Sequence, residues 1–212
     1  QNVFFGKERD YALGPFINYK KMYLDTHELL NAMFDGLSFN PEGFNAARRA
    51  SREGPLILIP CHKSHIDYLI LDFVLYCNNM QVPHIAAGKN LSFWPMGPMF
   101  RRGGAFFLRR SFKGNRLYAA VFDAYLDQIL QRGYSVEYFV EGTRSRTGRL
   151  LAPRGGMLVM TVHSYIKNPK RPIVFVPVYF GYEKLIEGDS FISELSGSAK
   201  KKESLFGLIR SI

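Results

Sequence analysis

The segment Cys61-His62-Lys63-Ser64-His65-Ile66-Asp67 closes the apolar run Leu56 to Pro60 and sets a histidine five residues ahead of a carboxylate. A histidine whose one ring nitrogen is held by a carboxylate can take a proton at the other, which is the arrangement a general base needs. On a continuous helix, five residues would turn the two side chains about 140° apart. The spacing therefore predicts His62 in a strand-to-helix turn and Asp67 in the first helical turn. A plainer role is also open, because Ser64-His65-Ile66-Asp67 fits the S-x-x-D capping pattern, and capping and orienting can coexist. His65 is a rival base, but two residues from Asp67 it projects to another side of the helix. Cys61 is read as a buried thiol rather than a nucleophile.

Three further blocks follow in order: Gly103-Gly104-Ala105-Phe106-Phe107-Leu108-Arg109-Arg110, Phe139-Val140-Glu141-Gly142-Thr143-Arg144-Ser145-Arg146, and Val176-Pro177-Val178. Together with His62 and Asp67 they resemble the four motifs of the glycerolipid acyltransferases: H-x4-D, G-x-x-F-x-x-R, F-x-E-G-T-R-S and a Val-Pro strand. The resemblance spans roughly residues 55 to 185. His84 to Gly88, Asn90 to Pro95 and Arg144 to Arg149 make it similar to the membrane-bound bacterial glycerol-3-phosphate acyltransferase branch (PlsB type). The resemblance implies transfer of a fatty acyl group from acyl carrier protein or coenzyme A to the first hydroxyl of glycerol 3-phosphate, the first step of phospholipid synthesis. His62 is then the base and Asp67 its orienter. Arg forks match phosphate oxygens bidentately. Arg109, Arg110, Arg144 and Arg146 are the donors expected for the acceptor's phosphate, with Arg110 aligned to the arginine that closes the second motif. Glu141 braces an Arg or accepts from a glycerol hydroxyl; Gly142 allows close backbone approach. Thr143 and Ser145 offer hydroxyls or amides, and Pro177 lies beside the acceptor. Dihydroxyacetone phosphate and lysophosphatidate remain alternative acceptors, although the typical lysophosphatidate enzyme has Pro where Val140 stands. A non-catalytic module binding anionic membranes or nucleic acid is the alternative of another class.

The elements that must position these residues follow from periodicity. Residues 11 to 36 carry a helical pattern with Gly36 as a stop, and a polar stretch then leads to Gly54-Pro55. Beyond it the pattern alternates: strand 56–60, helix 66–79, strand 83–87, strand 104–109, helix 115–132, strand 134–140, helix 155–167 and strand 172–180. Such alternation predicts an α/β fold with a mostly parallel central sheet flanked by helices. An N-terminal helical segment, 1–53, is expected to pack on a catalytic domain, 54–212. Within 115–132, Leu117, Val121, Tyr125 and Ile129 beside Phe122, Leu126 and Leu130 are expected to face the sheet, with Asp123, Asp127 and Gln128 opposite and Gly133 as the stop.

A chain of 212 residues, 47% apolar, suits one buried core, and the start at Gln1 suggests a piece of a longer protein. Its net charge of +10 seeks anions. No RNP-type or zinc-finger spacing occurs, so nucleic acid is not expected as a partner. Two cysteines are too few for a disulfide scaffold. No apolar run reaches the roughly 18 residues of a spanning helix, so attachment to the cytoplasmic face of the inner membrane is expected to be peripheral. Leu91 to Arg102 combines large apolar side chains with a basic end, either an interfacial segment on anionic lipid or ordinary core packing. Helix 66–79 is apolar on nearly every face and is read as buried or lining an acyl tunnel. No nucleotide loop or metal-ligand cluster appears in the sequence, so no cofactor is implied beyond acyl-CoA or acyl-ACP as co-substrate.

Overall fold

The structure is a computed structural model; it describes residues 27–196 except 95, 110, 113, 184 and 186. The expected helix over 11–36 therefore lies mostly outside the described residues; its part at 27–33 is helical. The stretch before Gly54 holds a helix the periodicity did not predict, α1 (Pro41–Ala50). Asn40 caps it, its side chain accepting from the amides of Glu42 and Gly43, and Pro41 opens the first turn, where a missing N–H costs nothing. Phe44, Ala47 and Ala50 pack its inner side on the core.

The strands are β1 (Leu56–Pro60), β2 (His84–Gly88), β3 (Ala105–Leu108), β4 (Val136–Glu137) and β5 (Val174–Val178). All pairings are parallel, in the order β3-β2-β4-β1-β5. The helices are α2 (Asp67–Cys77), α3 (Met96–Arg102), α4 (Arg116–Gln131), α5 (Gly156–Lys167) and α6 (Gly188–Leu195). The α/β expectation thus holds, with a parallel sheet between helical layers. Alternation along β1 divides the core: Leu56 and Leu58 pack with Ile66, Ile70, Leu71 and Leu75, while Ile57 packs with Phe122, Leu126, Ile129 and Val136. Helices α1 and α2 cover one face; α4 and α5 cover the other.

The crossover from β1 through α2 passes over β4 to reach β2, whereas the crossover from β4 through α5 passes over β1 to reach β5. These connections leave in opposite directions from neighbouring strands. A crevice opens at such a switch point beyond the carboxyl ends of the strands, between the turn after β1 and the loop after β4. The two motif segments that carry His62 and Glu141 are those two loops.

Two expectations are corrected. The strand expected over 134–140 pairs only at Val136–Glu137; Tyr138 adds one amide bond to the Leu58 carbonyl, and the chain then leaves the sheet to form the loop after β4. Leu117 and Val121 do not face the sheet: they are exposed, Leu117 by 77%; Tyr125, half-exposed, still meets Phe106 of β3 edge-on at 5.5 Å, and the buried stripe is Phe122, Leu126, Ile129 and Leu130. Asp123 and Asp127 do not face solvent alone but meet α5, where Lys167 donates to Asp123 and Ser164 donates to Asp127 at 2.8 Å. That polar seam between α4 and α5 turns the helix away from the orientation its apolar content suggested. Gly133 ends α4 with φ +80°, as a left-handed stop requires.

Candidate active site

The turn after β1 is built around Asp67, which is fully buried. Its Oδ2 accepts from the Lys63 amide at 2.7 Å, the Ser64 amide at 2.9 Å and His62 Nδ1 at 3.0 Å. Its Oδ1 accepts from the Tyr182 hydroxyl at 2.5 Å. The carboxylate folds back over the turn that precedes α2, so it satisfies two of the turn's amides and fixes the imidazole with one group. The orienting bond is present, whereas the expected side-chain cap is not, because the helix starts at Asp67 itself. The N-cap position is Ile66, which has no side-chain capping bond, and Ser64 Oγ accepts from the Ile66 amide at 3.3 Å. The His62 ring stacks on Phe139 at 3.9 Å between centroids, a second restraint on its plane. His65 joins through its backbone amide, which donates to Glu187 at 2.9 Å.

The loop after β4 is clipped to the same histidine from both sides. Glu141 Oε1 accepts from the His62 amide at 2.9 Å and Oε2 accepts from the Leu151 amide at 2.8 Å. The Ser145 amide donates to the His62 carbonyl at 2.7 Å. Glu141 and Ser145 are buried, whereas Gly142 and Thr143 are exposed. Gly142 has φ +68°, and a Cβ there would meet Arg154 Cδ at 3.0 Å, so this turn requires glycine. Arg144 Nη1 lies 3.3 Å from Glu187 Oε1. Glu187, itself buried, also accepts from Ser64 Oγ at 2.9 Å. The guanidinium carbons of Arg144 and Arg146 stand 5.5 and 5.8 Å from the centre of the Phe191 ring.

The structure thus brings together His62, Asp67, Glu141, Gly142, Thr143, Arg144, Ser145 and Arg146. It does not bring Arg109 to them. Arg109 is exposed at the end of the edge strand β3, its amide donating to the Tyr118 hydroxyl at 3.2 Å and its guanidinium 4.8 Å from that ring. Three strand spacings, about 14 Å, separate β3 from β1. Arg110 lies outside the described residues. Pro177 is exposed on the other edge strand, β5, in register with Ile59, where its missing N–H costs no ladder bond. Cys61 is buried and accepts from the Phe180 amide at 3.2 Å; burial pushes its thiol up, away from the nucleophilic thiolate.

Sequence reasoning missed Tyr182, Glu187 and Phe191, which lie past the last motif, and Lys63, whose buried ammonium donates to the Tyr179 hydroxyl at 2.8 Å. A signal did exist for one pair, since Glu187 and Phe191 stand four apart at the start of an amphipathic stretch. Among the described residues no group of three or more His, Cys, Asp and Glu could hold a metal ion, and no helix is long and apolar enough to cross a membrane.

The chain is 54% identical over 188 residues to the glycerol-3-phosphate acyltransferase of Shewanella frigidimarina, a match covering 87% of this chain and 23% of that protein. The enzyme of the same name from Shewanella amazonensis is 55% identical with the same coverage. The chain thus spans about a quarter of the length of these relatives. Among solved structures it is similar to the 1-acyl-sn-glycerophosphate (LPA) acyltransferase PlsC from Thermotoga maritima, with 16% identity, a TM-score of 0.49 and coverage of 94% of this chain and 87% of that one. The Acyltransferase family model matches residues 42–181, which contain both crevice loops and all five strands. With well over half of its length matched, the chain belongs to the Acyltransferase family.

Proposed function

We propose that this chain is the catalytic portion of a glycerol-3-phosphate 1-O-acyltransferase. The observation that carries the reading is the double clip on His62: a histidine oriented by Asp67 has its own amide and carbonyl bonded to Glu141 and Ser145 of the loop bearing Arg144 and Arg146. A base and a pair of phosphate-reading cations are thereby held at a fixed mutual distance, which is what an acceptor with a hydroxyl at one end and a phosphate at the other requires. The names of the relatives point the same way.

In the proposed reaction Asp67 holds His62 Nδ1–H, and Nε2 takes the proton from the first hydroxyl of glycerol 3-phosphate. The hydroxyl oxygen attacks the carbonyl carbon of the acyl thioester, a C–O bond forms and the C–S bond breaks. The proton on His62 passes to the departing thiolate of coenzyme A or acyl carrier protein, leaving 1-acylglycerol 3-phosphate. The transfer is direct, with Cys61 uninvolved and no resident cofactor used. Arg144 and Arg146 hold the phosphate in this account, with Thr143 beside them. Arg110 and Pro177 are assigned to the acceptor's surroundings by family resemblance alone, and Arg109, held at the sheet edge by Tyr118, has no part in this account.

The reading also assigns a membrane face. Trp94 is 83% exposed and Phe93 46%, just before α3, whose last turn carries exposed Arg101 and Arg102, while Phe100 turns into the core. An aromatic pair at the tip of a basic helix suits the headgroup layer of an anionic bilayer, so peripheral attachment on the cytoplasmic side is proposed.

The test is acceptor choice. Full-length protein in anionic vesicles is offered glycerol 3-phosphate, dihydroxyacetone phosphate and lysophosphatidate with one long-chain acyl thioester. The proposal expects glycerol 3-phosphate to give the highest kcat/KM. A preference for either of the others, or covalent acyl-protein trapped at Cys61, contradicts it.

A further inference from the structure

Helix α6 begins seven residues after the family match ends at residue 181, yet the residue just before it supplies the charge, and the helix the ring, that fix the arginines of the loop after β4. We propose that Glu187 and Phe191 are positioning residues that set Arg144 and Arg146 for the acceptor's phosphate and lock that setting to the catalytic turn. The inference rests on the proposed acyl transfer, and it concerns residues outside the four motifs.

Glu187 has three partners from two segments: Ser64 Oγ at 2.9 Å and the His65 amide at 2.9 Å in the turn after β1, and Arg144 at 3.3 Å in the loop after β4. It is 2% exposed, so these bonds replace water rather than compete with it. Four residues on, one helical turn away on the same side of α6, Phe191 is equally buried and lies under both guanidinium groups. A long arginine side chain has many rotamers, and a phosphate must order it on binding unless the protein has done so beforehand. Glu187 and Phe191 do this for Arg144, and Phe191 does it for Arg146.

Three substitutions in full-length protein separate the parts. Phe191→Leu touches the arginines and not the catalytic turn; it is expected to raise the KM for glycerol 3-phosphate and the inhibition constant of inorganic phosphate together by roughly threefold to tenfold, with kcat within twofold and the KM of the acyl thioester unchanged. Ser64→Ala removes the hydroxyl's bonds to Glu187 and to the Ile66 amide, with the His65 amide still holding Glu187, and is expected to lower kcat while leaving both constants for the anion in place. Glu187→Gln sets amide protons against Arg144 and is expected to do both. Melting curves establish that each variant is folded, and Phe191→Tyr, which keeps the ring, should retain parental constants. Unchanged phosphate constants in folded Phe191→Leu overturn the proposal, and so does tighter phosphate binding with unchanged kcat in Glu187→Gln, which would show that Glu187 merely opposes anions. Calorimetric titration with inorganic phosphate keeps the outcomes distinct. A parent that binds phosphate through this rack but acylates none of the acceptors refutes the proposed reaction alone, and a parent that acylates glycerol 3-phosphate with variants indistinguishable from it refutes the rack alone.

Discussion

Replacing Asp67 by Asn keeps the shape of the turn and removes its charge. The carboxamide oxygen can accept the three N–H groups that now meet Oδ2, those of His62, Lys63 and Ser64, and the new NH2 can donate to Tyr182 once that hydroxyl rotates. Exchanging charge-assisted bonds for neutral ones costs roughly 1–3 kcal/mol of stability, so the variant should fold with a lower Tm. The loss in rate should be larger than the loss in stability suggests. When His62 takes the acceptor's proton, its positive charge stands about 4 Å from the centre of the Asp67 carboxylate, and at an effective dielectric constant of about 20 such a pair is worth about 4 kcal/mol. Losing that attraction in the transition state slows the step by about 10³-fold. The assay is kcat for acyl transfer by folded Asp67→Asn beside the parent at saturating substrates. A folded variant within tenfold of the parent refutes the reasoning, because the carboxylate would then serve the turn and not the base.

Three other consequences follow from single contacts. Glu141→Gln can accept only one of the two amides now bonded to its oxygens, those of His62 and Leu151, so it should lower stability by roughly 1–3 kcal/mol and lower kcat as well; an unchanged Tm contradicts this. Glu137 is fully buried in the centre of the sheet beneath α2, and among the described residues neither of its oxygens has a hydrogen-bond partner. Burial first, and the Asp72 and Asp67 charges after it, push Glu137 well above the ordinary carboxylate range. A carboxyl raised in this way favours the folded state below its unfolded pKa and loses that contribution as pH rises through the folded one. Glu137→Gln should therefore gain on the parent in Tm between pH 5 and pH 8, and parallel curves would contradict it. Trp94→Ala should weaken partitioning onto anionic vesicles without changing kcat on soluble short-chain thioesters; equal partitioning removes Trp94 from the membrane face.

What the sequence made legible was what lies close along the chain. His62 and Asp67 are five residues apart, and only a turn followed by a helix start lets them meet, so the spacing allowed their hydrogen bond and the other motif blocks favoured it over plain capping. The loop from Glu141 to Arg146 was legible as a block through its resemblance to the F-x-E-G-T-R-S motif, and the positive φ at Gly142 is consistent with the glycine there. Tyr182 and Glu187 were not, since they reach Asp67 and Ser64 across separations of 115 and 123 residues, and tyrosine or glutamate after a strand carries no local sign of that return. The inward stripe of α4 was misread because the helix has apolar residues on two sides, and the choice was made by Ser164 and Lys167 on another helix. Arg109 shows the same limit from the other direction: its motif suggested the site, but strand order sends it to the edge of the sheet.

The most direct test of the central claim is acyl transfer from a long-chain acyl thioester to radiolabelled glycerol 3-phosphate in vesicles, measured for full-length protein and for its His62→Ala variant at equal folded concentration. The account predicts labelled 1-acylglycerol 3-phosphate from the parent and none above background from the variant. Product formation that survives the loss of His62 would place the base elsewhere and contradict the account.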